Sequence, residues 1–181
     1  MVELRDPQPL RWIEEPSGQP ITRCFQCYKC SSGCPVAGAM DILPHQIVRF
    51  VHLGLEEELL KCRAIWLCTA CHTCKARCPN GIDISAINDT LKAAVLARGL
   101  RPALPAVADF HRQFLASVEK HGRVHELGMM VAYKLKTGNY LQDVPLGMRM
   151  LARGKFKLLP DPIRGQKEVR TLFHRARGEQ R

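Results

Sequence analysis

Apolar residues recur at spacings of three and four along most of the chain, whereas stretches that alternate polar with apolar residues are few. One stripe is formed by Ile47, Val48 and Val51, with Asp41 as a candidate cap and Pro44 in the first turn. Further stripes predict helices at 56–65, 85–99 (with Ser85 as its cap), 102–121, 123–136, 144–153 and 166–177. The pattern predicts an all-α chain.

Prolines and cysteines divide these helices among three parts of the chain. Residues 1–19 are proline-containing and polar and are predicted to form an extended lead. Residues 20–98 hold all the cysteines, and residues 99–181 form a helical, cysteine-free extension. Neither a secretion signal at the amino terminus nor an apolar run long enough for a membrane span is visible, so we expect a soluble cytoplasmic protein. In such a reducing compartment, cysteines more often bind metal than form disulfides.

The charge balance favours a partner with an acidic surface. Lys and Arg number 27 against 17 Asp and Glu, and the region 149–181 is richest in basic residues. Because these positive charges are scattered, they indicate a surface that docks another protein rather than an arm that binds nucleic acid. Two oxidised [4Fe–4S] clusters with four thiolates each would lower the formal charge of +10 to about +6.

Eight of the nine cysteines form two runs with the same spacing, each ending in Cys-Pro. The first comprises Cys24, Cys27, Cys30 and Cys34, and the second comprises Cys68, Cys71, Cys74 and Cys78. Gaps of two, two and three residues are typical of ferredoxin-type runs that bind [4Fe–4S] clusters. The first three cysteines wrap a loop around one cluster, and the amide N–H groups of that loop stabilise the negative charge on sulfur.

The fourth cysteine of each run is expected to reach the neighbouring cluster, as it does in two-cluster ferredoxins. This predicts two iron-binding sets, Cys24, Cys27, Cys30 and Cys78 for cluster 1, and Cys68, Cys71, Cys74 and Cys34 for cluster 2. Two zinc sites of four cysteines each are the alternative, although zinc sites usually draw on separate pairs of cysteines. A disulfide framework fits poorly because the cysteine count is odd.

A few other residues near the runs invite a functional or a structural interpretation. Cys62 lies at helical spacing among apolar residues, which favours a small core residue over a ligand. His72, inside the second loop, either tunes the cluster or is simply exposed. Trp66 and Ile82 are expected to cover the second motif. Nearby positive charges either raise the potential of the clusters or are solvated, and they are Lys29, Lys75 and Arg77.

No motif for catalysis on a substrate accompanies the cysteines. The chain lacks the glycine-rich phosphate loops and the nucleophile elbow of common enzyme classes. Two neighbouring clusters that each exchange one electron make a wire. We therefore expect a non-catalytic subunit that passes electrons between a donor protein and an acceptor protein, with the basic extension as the docking element.

Residues 24–35 and 65–84 resemble the C subunit of heterodisulfide reductase. The resemblance implies an α-helical ferredoxin domain with two [4Fe–4S] clusters, in a hetero-oligomer of several different chains. Electrons would run between the A subunit, which is a flavin and iron–sulfur protein, and the catalytic B subunit, which bears noncubane clusters. The family has a methanogenic version, which reduces the disulfide of coenzymes M and B, and a bacterial version in sulfur oxidation. Arginine outnumbers lysine here, by 17 to 10, and this codon-bias argument favours the bacterial version.

Two further alternatives remain open on the sequence. The second motif, with its Trp-x-Cys-Thr opening, is shared with the iron–sulfur proteins of succinate and anaerobic glycerol-3-phosphate dehydrogenases, so the chain could serve such an oxidoreductase. More remotely, two zinc ions could stabilise an interaction module whose basic face binds nucleic acid.

Overall fold

The computed structural model describes residues 10–138, 144–155, 159–161 and 163–178, and every regular element within them is helical, which confirms the all-α prediction. The α-helices of this described part are α1 (Arg11–Ser17), α2 (Lys29–Ser32), α3 (Pro44–His52), α4 (Glu56–Lys61), α5 (Ala64–Leu67), α6 (Thr73–Arg77), α7 (Ile84–Ala97), α8 (Pro105–His121), α9 (Glu126–Thr137), α10 (Val144–Ala152) and α11 (Gln166–Ala176). Single 3₁₀ turns lie at Ile21–Arg23 and Ala37–Ala39. The chain divides into two compact units, Met1–Pro105 and Ala106–Arg181.

The first unit is organised around α7, against which α1, α4 and α5 pack. Ile87, Leu91 and Val95 lie at helical spacing on α7 and are fully buried. The apolar stripe of α3 is buried as well and packs towards α4. Burial of each such side chain contributes roughly 1.5–3 kcal/mol. These apolar contacts form a rigid core to which both cysteine loops are attached.

The predicted helix at 56–65 is two helices. The chain leaves α4 at Cys62, whose ψ of 151° is extended, and resumes as α5 two residues later. Asp41 explains the restart: its carboxylate accepts hydrogen bonds from the backbone N–H groups of Arg63 and Ala64, at 2.7 and 2.8 Å. Asp41 therefore caps α5 across 22 residues of sequence and not α3, as the local pattern had predicted.

The two other helix starts were also assigned to the wrong residue. At α3 the N-cap is Leu43, and its N–H donates to the side-chain oxygen of Gln46 at 2.8 Å. At α7 the N-cap is Asp83, and its carboxylate accepts the N–H of Ser85 at 3.0 Å. An ionised carboxylate satisfies the free N–H groups and the helix dipole together, so it is favoured over the nearby serine.

The extended lead was wrong where the structure describes it, because Arg11–Ser17 forms α1. Ile13 is completely buried and α1 packs against α7. The guanidinium of Arg98 lies 4.7 Å from the ring centre of Trp12, a cation–π contact that fastens α1 from the other side. Tertiary burial therefore offsets the poor helix propensity of Pro16, while residues 1–9 lie outside the described part.

The second unit has a smaller buried core than the first. The ring of Phe110 on α8 meets Tyr133 on α9 edge-on at 5.7 Å, and Glu119 on α8 pairs with Arg177 at 2.6 Å. Several apolar side chains stay exposed, among them Leu115, Val131, Leu135, Leu146 and Met148. Of the helices described, none combines the length and the apolar character that crossing a membrane requires.

Candidate iron–sulfur centres

The two cysteine loops, residues 24–30 and 68–74, are built the same way. Each first cysteine ends a helical turn and donates its N–H three or four residues back, Cys24 to Ile21 and Cys68 to Ala64, both at 3.1 Å. The third cysteine of each run lies in a short helix, α2 or α6. The fourth ends that turn, because Cys34 and Cys78 donate to the carbonyl three residues before them at 3.1 Å. The repeat in the sequence is therefore a repeat in backbone geometry.

Both loops hold ordinary residues in a left-handed backbone conformation. Within the described residues, positive φ outside glycine occurs at Gln26 (53°), Tyr28 (68°), Ala70 (50°) and His72 (56°). These positions correspond between the loops, because each pair flanks the second cysteine. Such conformations cost on the order of 1–3 kcal/mol each and concentrate at functional sites. Alternation between right- and left-handed residues turns successive N–H groups to one side, which forms a concavity that binds anions.

The first pocket brings together four cysteines from both runs. Its lining contains Cys24, Cys27 and Cys30 of the first loop and Cys78 of the second run. Ile82, predicted as cover for the second motif, instead lines this pocket and is buried. The four cysteines are the set predicted for cluster 1.

The second pocket has the reciprocal composition. Its lining contains Cys68, Cys71 and Cys74 of the second loop and Cys34 of the first run, together with His72 and Ser85. Four thiols around each pocket provide the soft donor set that [4Fe–4S] clusters use. The residues present therefore fit two such clusters. Among the described residues, no group of three or more His, Cys, Asp or Glu is arranged to hold a single metal ion.

The loops also provide hydrogen bonds to sulfur. The backbone N–H and the side-chain amide of Gln26 both point at Sγ of Cys24, at 3.4 Å. Burial raises the pKa of the Cys30 and Cys74 thiols, which hold corresponding positions in α2 and α6. Hydrogen bonding with the Thr73 hydroxyl, 3.4 Å away, lowers the pKa of the exposed Cys71. Such bonds stabilise sulfur-bound negative charge.

A neutral network supports the first loop. The Ser31 hydroxyl accepts the backbone N–H of His45 at 3.0 Å, and its oxygen lies 2.8 Å from Nδ1 of the same residue. The His45 ring in turn lies 4.6 Å from that of Tyr28, the left-handed residue of the loop. Burial lowers the pKa of His45. The serine thereby provides an N–H acceptor in the first turn of α3 from outside the helix.

A charged network supports the second loop. Nδ1 of His72 lies 3.0 Å from the carboxylate of Asp83 and 3.0 Å from the Ser85 hydroxyl. The Ser85 hydroxyl donates to Asp83 at 2.5 Å, and Nζ of Lys75 approaches the same carboxylate at 3.7 Å. Burial raises the pKa of Asp83, but the bonds from Ser85 and His72 outweigh it and hold that pKa below its ordinary value. His72 is thus exposed and hydrogen-bonded at the same time.

The two short helices α2 and α6 pack against each other at Gly33 and Arg77, which occupy corresponding positions before the fourth cysteines. A Cβ on Gly33 would lie 2.5 Å from Cδ of Arg77. The Arg77 side chain crosses this space and its Nε donates to the Lys29 carbonyl at 3.2 Å. Packing of α2 on α6 brings the fourth cysteine of each run beside the other loop.

The ninth cysteine has no place in either pocket. Cys62 is 3 % exposed and its thiol donates to the Leu59 carbonyl at 3.1 Å, while burial raises its pKa. Trp66 is also buried but is not among the residues that line the pockets. Sequence reasoning missed Ser31, His45 and Asp83, because their roles depend on contacts across 11 to 14 residues and nothing local marks them.

Comparison with known proteins supports the cofactor independently. Residues 20–82 match the family model described as a 4Fe-4S dicluster domain. This match spans both cysteine runs and confirms the prediction of two [4Fe–4S] clusters. The assignment of individual cysteines to each cluster is a separate matter, which the match leaves open.

Curated relatives confirm the resemblance to the C subunit of heterodisulfide reductase. The chain is 33% identical over 103 residues to the C subunit of the H(2):CoB-CoM heterodisulfide,ferredoxin reductase of Methanothermobacter thermautotrophicus, which is 54% of each chain. It is 35% identical over 110 residues to the iron-sulfur C subunit of the CoB–CoM heterodisulfide reductase of Methanopyrus kandleri, covering 61% of this chain and 54% of the relative. A third relative, the iron-sulfur C 2 subunit of the enzyme of that name from Methanocaldococcus jannaschii, is 32% identical over 108 residues, or 59% and 58%.

The chain spans about half the length of the curated relatives it matches. Those relatives carry the names of methanogenic enzymes, which agrees with the alternative to the bacterial version. Residues 20–82 are thus a 4Fe-4S dicluster domain, in a chain that is similar over somewhat more than half its length to the C subunit of heterodisulfide reductases.

Proposed function

We propose that the two cysteine runs hold their clusters in a crossed arrangement. Cluster 1 is held by Cys24, Cys27, Cys30 and Cys78, and cluster 2 by Cys68, Cys71, Cys74 and Cys34. The observation that carries this proposal is the composition of the two pockets, each lined by three cysteines of one run and the fourth of the other. The left-handed residues beside the second cysteines support it, because they shape concavities for anions in both loops.

We further propose that the chain relays electrons between two partner proteins of a heterodisulfide reductase-like complex, and is not itself catalytic. Each cluster, when bound, takes up and passes on one electron at a time. Cys27 and Cys71 are the exposed members of their sets, so each site has an edge at the protein surface. One edge is available to a donor and the other to an acceptor. The nine unpaired thiols fit a reducing compartment such as the cytoplasm.

The partners in this proposal are a flavin and iron–sulfur protein of type A and a noncubane-cluster protein of type B. Residues 99–181 would provide the docking extension. Support comes from the exposed apolar side chains of α9 and α10 and from the charge of residues 106–181, which hold 15 Lys and Arg against seven Asp and Glu. Basic rims around apolar contacts are common at protein interfaces that form quickly and specifically.

The first experiment is metal and sulfide analysis of the anaerobically purified chain. The proposal expects brown protein with about eight irons and eight acid-labile sulfides per chain. It also expects the visible absorbance to bleach with dithionite. Two zinc ions without iron would instead support the zinc module, which predicts colourless protein and salt-sensitive binding to nucleic acid.

The second experiment identifies the complex. Tagged protein purified from its own cells should bring down a flavoprotein and a protein with cysteine-rich cluster motifs, whereas a glycerol-phosphate or succinate oxidase would contradict the proposed partners. Arginine bias favours the bacterial sulfur-oxidising complex, and the names of the relatives favour the methanogenic one. Reduction of the coenzyme M–coenzyme B disulfide by the purified complex with reduced viologen decides for the methanogenic version.

A further inference from the structure

The charges around the two pockets differ. The side chains that support the first loop are Ser31, His45 and Tyr28, and the Lys29 of that loop lines the first pocket. The positions that correspond to Ser31 and Tyr28 in the second loop are Lys75 and His72, and both contact the carboxylate of Asp83. Among the described residues that line the pockets, neither pocket has an acid of its own. Asp83 therefore introduces a negative charge at one site that the other lacks.

Asp83 stands one hydrogen bond behind the wall of the second pocket. Both His72 and Ser85 line that pocket, and both bond to the Asp83 carboxylate. Asp83 is 5 % exposed, so water screens its charge poorly. Three donors hold the carboxylate in place: the N–H and hydroxyl of Ser85 and the ring of His72. A second carboxylate, Glu14, lies near the first loop only through an exposed contact with Thr22.

A fixed negative charge disfavours the addition of an electron to a nearby cluster, and the effect grows where the local dielectric constant is low. Lys75 partly offsets Asp83, but its side chain is about half exposed, so solvent screens it more than the buried carboxylate. The balance of charge at the second loop is therefore less favourable to reduction than at the first.

We propose that Asp83 holds the reduction potential of cluster 2 below that of cluster 1. One electron added to the oxidised protein by dithionite then resides on cluster 1, and the donor that delivers electrons first to cluster 2 must be the stronger reductant. This inference rests on the proposed crossed clusters and makes Asp83 a positioning residue for charge, not a ligand.

The test is a potentiometric titration of the anaerobic full-length protein followed by electron paramagnetic resonance. Cys27→Ser and Cys71→Ser assign the two signals, because each changes one cluster. Asp83→Asn should raise the midpoint potential of cluster 2 by at least a tenfold change in its reduction equilibrium, about 59 mV for one electron. Asparagine is itself a good N-cap, so α7 keeps its start. Lys75→Gln should shift the same midpoint in the opposite direction.

Opposite shifts separate an electrostatic role from a structural one, because damage to the loop would not reverse its sign between two variants. Asp89→Asn is the matched control: it removes an exposed carboxylate of the same helix, paired with Lys92, and should move neither midpoint. Asp83→Glu should return the midpoint of cluster 2 towards the wild-type value. The inference is overturned if Asp83→Asn leaves that midpoint unchanged or lowers it, or if cluster 1 titrates below cluster 2 in the wild type. A wild-type chain without iron would overturn the proposed function itself, so the two failures are distinguishable.

Discussion

The two cysteine loops share a backbone but present different side chains. At corresponding positions the first loop exposes Phe25 and Tyr28, at 71 and 49 %, where the second has Thr69 and His72. The first loop is supported by neutral side chains and the second by an ionic network around Asp83. The comparison separates what cluster binding requires, which is repeated, from what distinguishes the two ends of a relay, which is not. Gaps, left-handed residues and closing turns belong to the first class.

The largest expected effect concerns the fourth cysteines. We expect Cys78→Ser to alter the same paramagnetic signal as Cys27→Ser, and Cys34→Ser the same signal as Cys71→Ser, because each pocket takes its fourth thiol from the other run. Loss of about half the iron from each fourth-cysteine variant would accompany this. If each variant instead shared its signal with the second cysteine of its own run, the crossed arrangement would be wrong.

A smaller effect should distinguish the supporting serines. Ser31→Ala leaves the N–H of His45 in the first turn of α3 without its acceptor, and we expect a loss of about 1–2 kcal/mol in the free energy of unfolding. Ser85→Ala keeps the α7 cap, because the Ser85 N–H still donates to Asp83, so its cost should be lower, about 1 kcal/mol. Anaerobic urea unfolding followed by far-ultraviolet circular dichroism measures both. An equal or larger cost for Ser85→Ala would contradict this ranking.

Cys62 is the control that belongs to neither loop. Cys62→Ser should leave iron and sulfide content and both midpoint potentials unchanged, because the residue is buried and lines neither pocket. Its hydroxyl retains a donor for the Leu59 carbonyl, so stability should fall by about 1 kcal/mol or less. Metal analysis beside Cys27→Ser provides the comparison, and iron loss equal to that of Cys27→Ser would make Cys62 a ligand.

The smallest effect concerns the strained backbone. Ala70→Gly places glycine where φ is 50°, and we expect a gain of about 0.5–1 kcal/mol. Gln26→Gly relieves the same strain in the first loop but removes the side-chain bond to Cys24, so its gain should be smaller. Urea midpoints of the two variants, taken with the wild type, test the equivalence of the loops. Destabilisation by Ala70→Gly would show that the left-handed conformation is not a source of strain.

Much of the site could be predicted from the sequence, because ligand spacing is local. Gaps of two and three residues between thiols encode the loop, and the repeated run encodes two sites. Helices at α3 and at α7–α11 followed from apolar spacing within one element. The helix start at α7 could not be assigned in the same way, because Asp83 and Ser85 are both good caps and only the tertiary contacts of Asp83 decide between them.

Long-range contacts explain the other errors. The local pattern assigns Asp41 as the cap of α3, yet its carboxylate bonds to the N–H groups of α5, and that contact also splits the helix expected at 56–65. The polar segment Arg11–Ser17 is predicted as part of a lead, but Ile13 is buried as α1 packs on α7, and the segment is helical. In each case a single tertiary contact outweighed a weak local preference.

The sequence by itself determined the number of cysteine runs, the donor chemistry, the helical class and the excess of basic charge, since these depend on residue identity and on spacing within a few residues. Only the tertiary structure decided which thiols share a pocket and which pocket has a buried carboxylate behind it. The reason is physical: a pocket is formed where α2 meets α6, and the field inside it depends on how close Asp83 comes after folding.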